Sequence, residues 1–151
     1  LLIGSSRKKE DEAYFQGLLQ KYQWKHIEIR KPVSFENFSK SYQEADICFD
    51  LREKNFENEH CLPIKIFYYI ASGKPVIYTD LKATKLHLQV SEFGFLVTPK
   101  DSDRIAEVIF RYIDEPNLYH QHAVNARHQY LTKYTWNSIK QSFTGFVKSF
   151  I

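Results

Sequence analysis

Short apolar runs alternate with amphipathic stretches up to about residue 97, and the last third of the chain is amphipathic throughout. Leu1, Leu2 and Ile3 form an apolar run stopped by Gly4, Ser5 and Ser6, which predicts a buried strand and a turn. Residues 10–22 place Ala13, Tyr14, Leu18, Leu19 and Tyr22 at roughly helical spacing, and 26–29 alternate as a short strand ended by Lys31 and Pro32. Ser34 suits an N-cap, with Phe35, Phe38, Tyr42 and Ala45 on one face, so a helix is expected to run to Asp46. Ile47, Cys48 and Phe49 read as the next buried strand. A polar stretch, 50–60, is the longest loop in this reading, and long loops in compact domains are usually functional or disordered.

Pro63 suits the first turn of a helix, where its missing N–H costs nothing; Ile64, Phe67, Tyr68 and Ala71 continue it and Gly73 stops it. Residues 75–78 are a strand, 81–90 a helix, and 94–97 another strand. Beyond Asp101 three helices are expected, the first with a stripe of Ile105, Val108, Ile109, Tyr112 and Ile113. The second opens at Pro116, and the third is capped by Thr135. Strand and helix alternate, which predicts an α/β fold: a parallel sheet wrapped by helices on both faces. Ligands in such sheets bind outside the carboxyl ends of the strands, so the loops after Ile3, Ile29, Phe49 and Tyr78 are the ones to inspect.

Composition narrows the class. The chain has 151 residues, about one domain. Hydrophobic residues make up 43% and aromatics 16%, which excludes disorder. A net charge of +3, with the two signs interspersed, is a weak indication of an anionic ligand and none of nucleic acid. Two cysteines, Cys48 and Cys61, exclude a disulfide framework and fit a cytosolic setting; Cys48 lies in an apolar run and is expected to be buried. The absence of Met and the abrupt apolar start lead us to expect a piece of a longer protein. The familiar phosphate-loop, dinucleotide, nucleophile-elbow and zinc-helix motifs are missing. His120, His122 and His128 lack the spacing of a zinc pair, and the expectation is no metal and a solvated helix surface.

The most distinctive segment is 59–77. A helix starting after a buried strand leaves unpaired backbone N–H groups at the ligand edge, where they and the helix dipole suit phosphate; Lys65 in the first turn adds a full charge. An ordinary core helix with Lys65 in solvent explains the same residues. LPIKIFYYIASGKPVIYTD resembles the C-terminal domain of GT-B fold glycosyltransferases of the retaining group 1, or family four. Leu1 to Gly4 in sequence, Tyr42 with Ala45-Asp46-Ile47, Phe93-Gly94-Phe95-Leu96-Val97, Asn125-Ala126-Arg127 and Tyr134-Thr135-Trp136 are similar to further family pieces at family spacing.

This resemblance implies a single Rossmann-like domain over 1–151, the donor nucleotide-sugar-binding lobe of a glycosyltransferase. The parent would move a sugar from a nucleotide diphosphate-sugar to a glycan or lipid-linked acceptor, as in polysaccharide biosynthesis. The resemblance further implies retention at the anomeric centre and no cofactor or obligatory metal. The lobe's first strand and the acceptor lobe would precede Leu1, leaving this piece inactive alone. Gly4, Ser5, Pro63, Ile64, Lys65 and Tyr68 would bind the nucleotide diphosphate, and Glu59 and His60 the donor sugar. The family's two glutamates fall on His60 and Tyr68, so no carboxylate stands at either place. Tyr68 is therefore either a ribose contact or an extension of the buried face. A nucleotide-sugar epimerase of the same fold and a non-catalytic binding module are the alternative readings. The C-terminal aromatic stripe, with Lys140 and Lys148 as its only cations from Asn137 on, is too poor in charge for a basic interfacial helix, so membrane contact of the domain is not expected. The setting implied is cytoplasmic, the full-length protein at most peripheral to the inner membrane face.

Overall fold

The computed structural model describes residues 1–3 and 8–150, with Phe35 described in its backbone only. Gly4 and Ser5 lie outside the described residues. The chain divides into two compact units, Leu1–Tyr42 and Gln43–Ile151.

In the first unit, β1 (Leu2–Ile3) and β2 (Ile29–Arg30) pair in parallel, Leu2 opposite Ile29. Between them runs α1 (Lys9–Tyr22), whose first turn carries Glu10, Asp11 and Glu12 against the positive end of the helix dipole. The helix expected over 34–46 is replaced by two 3-10 turns, Phe35–Asn37 and Lys40–Tyr42. The serines explain this. The Ser34 hydroxyl accepts from the Asn37 amide group at 3.1 Å, and the Ser41 hydroxyl donates to the Phe38 carbonyl at 2.6 Å. Such local bonds compete with the regular ladder of a helix.

The second unit is built on β3 (Cys48–Asp50), β4 (Val76–Thr79) and β5 (Gly94–Val97), all parallel in the order β3-β4-β5. Val76, Ile77, Tyr78 and Thr79 of the central strand are all buried. Crossovers carry α2 (Phe56–Glu59) and α3 (Lys65–Ala71) from β3 to β4, and α4 (Lys82–His87) from β4 to β5. Three helices close the chain: α5 (Ser102–Asp114), α6 (Pro116–Lys133) and α7 (Trp136–Lys148). Parallel strands joined by helical crossovers are the α/β architecture expected from the sequence.

Ile77, Val97 and Val108 form one core cluster of the unit, with Ile47, Phe95, Ile105 and Ile109 packed around them. Cys48 is buried as expected, and burial pushes its thiol up to about 12. Asp101 caps α5 through the amide of Arg104, and Thr135 with Ser138 forms a capping box on α7. Gly73 ends α3 in the left-handed region, φ 65°. Its amide reaches the Ile70 carbonyl at 3.0 Å and the next amide, of Lys74, reaches Tyr69 at 3.1 Å, a Schellman stop. His122 departs from expectation. It is buried, and its Nδ1 lies 2.8 Å from the Tyr112 hydroxyl.

Candidate functional site

The carboxyl ends of β3 and β4 and the connection between them hold most of the site residues expected from the sequence. Thr79, the last residue of β4, has no exposed surface. Its hydroxyl accepts the Arg52 amide at 2.7 Å and donates to the Arg52 carbonyl at 3.0 Å. One side chain thus supplies both partners that a neighbouring strand would otherwise give residue 52. Asp50, the last residue of β3, is buried and takes the Arg52 guanidinium as a fork, Nε to Oδ1 at 2.8 Å and Nη2 to Oδ2 at 3.2 Å. The hydrogen bond to Asp50 raises Arg52 above its ordinary pKa. Tyr78 donates to the same carboxylate at 3.5 Å; its hydroxyl is pushed well up, first by burial and then by the Asp50 charge.

One residue beyond β4, Asp80 sits between two lysines, Lys85 at 2.7 Å and Lys54 at 3.3 Å. The bond from Lys85, and then that from Lys54, holds its carboxyl below the usual range. These pairs leave the edge closely balanced in charge. Among the described residues Lys65 forms no ion pair.

The polar stretch 50–60 is ordered by its own side chains. Asn55 caps α2 by accepting the Asn58 amide at 2.8 Å, and the Asn58 side chain donates to the Glu53 carbonyl at 2.9 Å. Glu59, expected on the donor sugar, accepts the Lys82 backbone amide at 2.8 Å through Oε2, where it caps the start of α4. His60 closes α2 with its Nδ1 2.8 Å from the Phe56 carbonyl. A carbonyl only accepts, so Nδ1 carries a proton and points it at Phe56. The Phe56 and His60 rings lie 4.5 Å apart, tilted by 38°.

At α3 the helix begins at Lys65, two residues beyond Pro63. Pro63 is buried, Ile64 occupies the N-cap position and is exposed, and Lys65 is exposed. The Ile66 and Phe67 amides turn back to the Pro63 and Ile64 carbonyls at 3.4 and 3.1 Å, so the start is a tight turn in which these two amides are already paired. Tyr68 is half-buried, while Ile66, Tyr69 and Ile70 form the inner face. Glu59, His60, Pro63, Ile64, Lys65 and Tyr68 thus all belong to the single β3–β4 connection; Gly4 and Ser5 are not among the described residues.

Asp50, Arg52, Thr79, Asp80 and Lys85 were not read from the sequence as site residues. The signal available was the acid that ends each of two apolar runs, Asp50 and Asp80, at the edge where parallel sheets take ligands. Among the described residues no group of three or more His, Cys, Asp or Glu side chains is placed to hold a metal ion. No helix among them is long and apolar enough to cross a membrane.

A family described as glycosyl transferase-like matches residues 2–144. No curated protein matches the sequence. Among solved structures, the chain is similar to a sucrose-phosphate synthase from Thermosynechococcus elongatus, with a TM-score of 0.80 at 20% identity over 99% of this chain and 37% of that one. It is similar to Anabaena HepE in complex with UDP-glucose, with a TM-score of 0.80 at 18% identity over 98% of this chain and 40% of that one. The HepE complex with UDP gives a TM-score of 0.77 at 17% identity, again over 98% and 40% of the two chains. The chain therefore spans about 37–40% of the length of these proteins.

Proposed function

The chain belongs to the glycosyl transferase-like family, and from that premise we propose that it is the donor nucleotide-sugar-binding lobe of a GT-B glycosyltransferase. The parent moves a sugar from a nucleotide diphosphate-sugar to a glycan or lipid-linked acceptor. The family match over 2–144 carries this reading. The fold shared with HepE, a protein solved with UDP and with UDP-glucose, supports it. The donor is a substrate, and no cofactor enters the scheme.

Within this reading the diphosphate lies at the carboxyl edge of β3 and β4. Lys65 is the cation assigned to it, because it opens α3 in the β3–β4 connection and forms no ion pair among the described residues, whereas Arg52, Lys54 and Lys85 are held by Asp50 and Asp80. A positive charge fixed beside the departing diphosphate stabilises the charge that develops as the glycosidic bond breaks. Pro63 and Ile64 set the turn that presents Lys65, and Tyr68 is placed one helical turn further on.

The test is a titration of the 151-residue chain with UDP and with GDP, followed by the backbone amides of 62–66. Half a cleft should bind at about millimolar to high micromolar, roughly 4–6 kcal/mol. Lys65→Ala should weaken binding by about 1.5–3 kcal/mol, the range of a charge-assisted contact, and leave the melting temperature unchanged. Amide shifts confined to other surfaces, or equal affinity in the variant, would remove Lys65 from the site.

A further inference from the structure

We propose that residues 53–61 form a strap across the carboxyl ends of β4 and β5, fixed at Arg52 and Pro63, that opens as ionic strength rises while the fold beneath it stays intact. The strap belongs to the chain with or without a nucleotide, and the donor reading is not needed for it.

The two fixed points are anchored in the unit. Arg52 is held through its backbone by the Thr79 hydroxyl and through its guanidinium by Asp50, and Pro63 is buried. Between them no residue is buried. Phe56, the largest apolar side chain of the segment, is 80% exposed. The segment therefore has no apolar anchor, and polar side chains fasten it to the rest of the unit. Glu53 pairs with Lys100 at 2.8 Å, Lys54 with Asp80 at 3.3 Å, and Glu59 accepts the Lys82 amide at 2.8 Å.

The partners give the direction in which the strap lies. Asp80 follows β4, Lys82 opens α4, and Lys100 stands between β5 and α5. The strands run in the order β3-β4-β5, so a segment that leaves β3 is laid over the ends of the next two. Lys100 has φ 70°, an uncommon conformation for a residue with a side chain, and from there its ammonium reaches Glu53.

These fastenings are soft. The Glu53 and Lys100 side chains are 69% and 81% exposed, where an ion pair is weak and screened by salt. Lys54 shares Asp80 with Lys85, the nearer of the two at 2.7 Å, so Lys54 can leave without stranding the carboxylate. A segment without buried apolar contacts and with exposed tethers opens locally, at far lower cost than the whole fold. Opening bares the carboxyl ends of β4 and β5 and leaves Lys65, beyond Pro63, in place. The four-residue α2 inside the strap is far too short to stand by itself, so its amides report whether the strap is fastened.

The experiment is amide hydrogen exchange on the 151-residue chain without nucleotide, in about 20 mM and about 500 mM NaCl, which span weak and strong screening. The Glu59, His60 and Cys61 amides bond within the strap, to the carbonyls of Asn55, Glu57 and Asn58. They should exchange about threefold to tenfold faster at high salt, the scale of two exposed ion pairs. The Cys48 and Val76 amides, bonded to the Pro75 and Phe93 carbonyls beneath, should not change. Glu53→Gln and Lys100→Gln remove one pair from either side. Each should accelerate the three strap amides by about twofold to fivefold at low salt and reduce their salt dependence, and the two should not add when combined. Equal exchange at the two salt concentrations, variants that match the parent, or acceleration that reaches Cys48 and Val76 as well would overturn the proposal.

Discussion

Replacing Thr79 by Val keeps shape and volume and removes only the hydroxyl, so packing alone predicts a silent change. The structure predicts otherwise. Thr79 has no exposed surface, and its hydroxyl is the partner of both the N–H and the C=O of Arg52, at 2.7 and 3.0 Å. In Thr79→Val both groups lose that partner in a half-buried setting. At about 1 kcal/mol for each, with an added penalty for the group left dry, the loss comes to about 2–3 kcal/mol. Thr79→Ser keeps the hydroxyl and loses one buried methyl, about 1 kcal/mol. Valine should therefore be the worse substitution, although it is the better steric match. For a chain of this size about 2–4 °C of melting temperature accompany each kcal/mol, so Thr79→Val should melt roughly 5–10 °C below the parent and Thr79→Ser about 2–4 °C below it. Thermal and urea melts give the order, and amide exchange at Arg52 gives the site: it should accelerate in the valine variant alone. A valine variant as stable as the serine variant would refute the clamp.

Gly94 opens β5 opposite Val76, and a Cβ there would overlap the Val76 carbonyl and stand 2.8 Å from its Cγ2. Gly94→Ala should cost at least about 3 kcal/mol, the upper range for overpacking, whereas Gly17→Ala, in the interior of α1 with nothing within 4 Å, should stabilise by about 0.5–1 kcal/mol; circular-dichroism melts of the two variants test the contrast. His122 is held below its ordinary pKa, first by burial and then by the Arg111 charge. The unfolded chain therefore binds the proton more readily than the folded one, so stability should be full above about pH 6.5 and fall as the pH drops through that value. His122→Leu should flatten that slope in urea melts taken from pH 5 to pH 8.

Leu2 in β1 and Phe49 in β3, expected to be buried, are exposed. The central strand was legible because it is a short apolar run buried on both faces, 75–78 against the observed Val76–Thr79. The helix expected over 34–46 was not, because the apolar spacing of Phe38, Tyr42 and Ala45 is helical while the serines between them bond locally. The short α2 was invisible for the opposite reason: it has no apolar stripe, and Asn55 and Asn58 hold it through backbone groups. In α6 the inner face includes His122 and Gln129, polar side chains that interrupt the stripe by which a buried helix face is recognised. The expectation of solvated histidines holds for His120 and His128 and fails at His122, whose ring is buried against the Tyr112 hydroxyl.

The candidate site shows the same division between pattern and partner. Position in a parallel α/β chain makes the β3–β4 connection one to inspect for a ligand, and that much can be read from the sequence. Which side chains are available there depends on what each already holds. Glu59 has one carboxylate oxygen engaged with the Lys82 amide, the first of α4. Arg52 cannot turn to a phosphate without uncovering Asp50, a buried carboxylate whose loss of its partner would be costly. Lys65 and the Nε2 of His60 carry no such commitment among the described residues. Under the proposed donor-binding reading, Lys65 is the group on this connection suited to the negative charge of a nucleotide diphosphate. In that reading, with no carboxylate at residue 60 or 68, the His60 ring and the Tyr68 hydroxyl are the groups left where the resemblance led us to look for carboxylate oxygens.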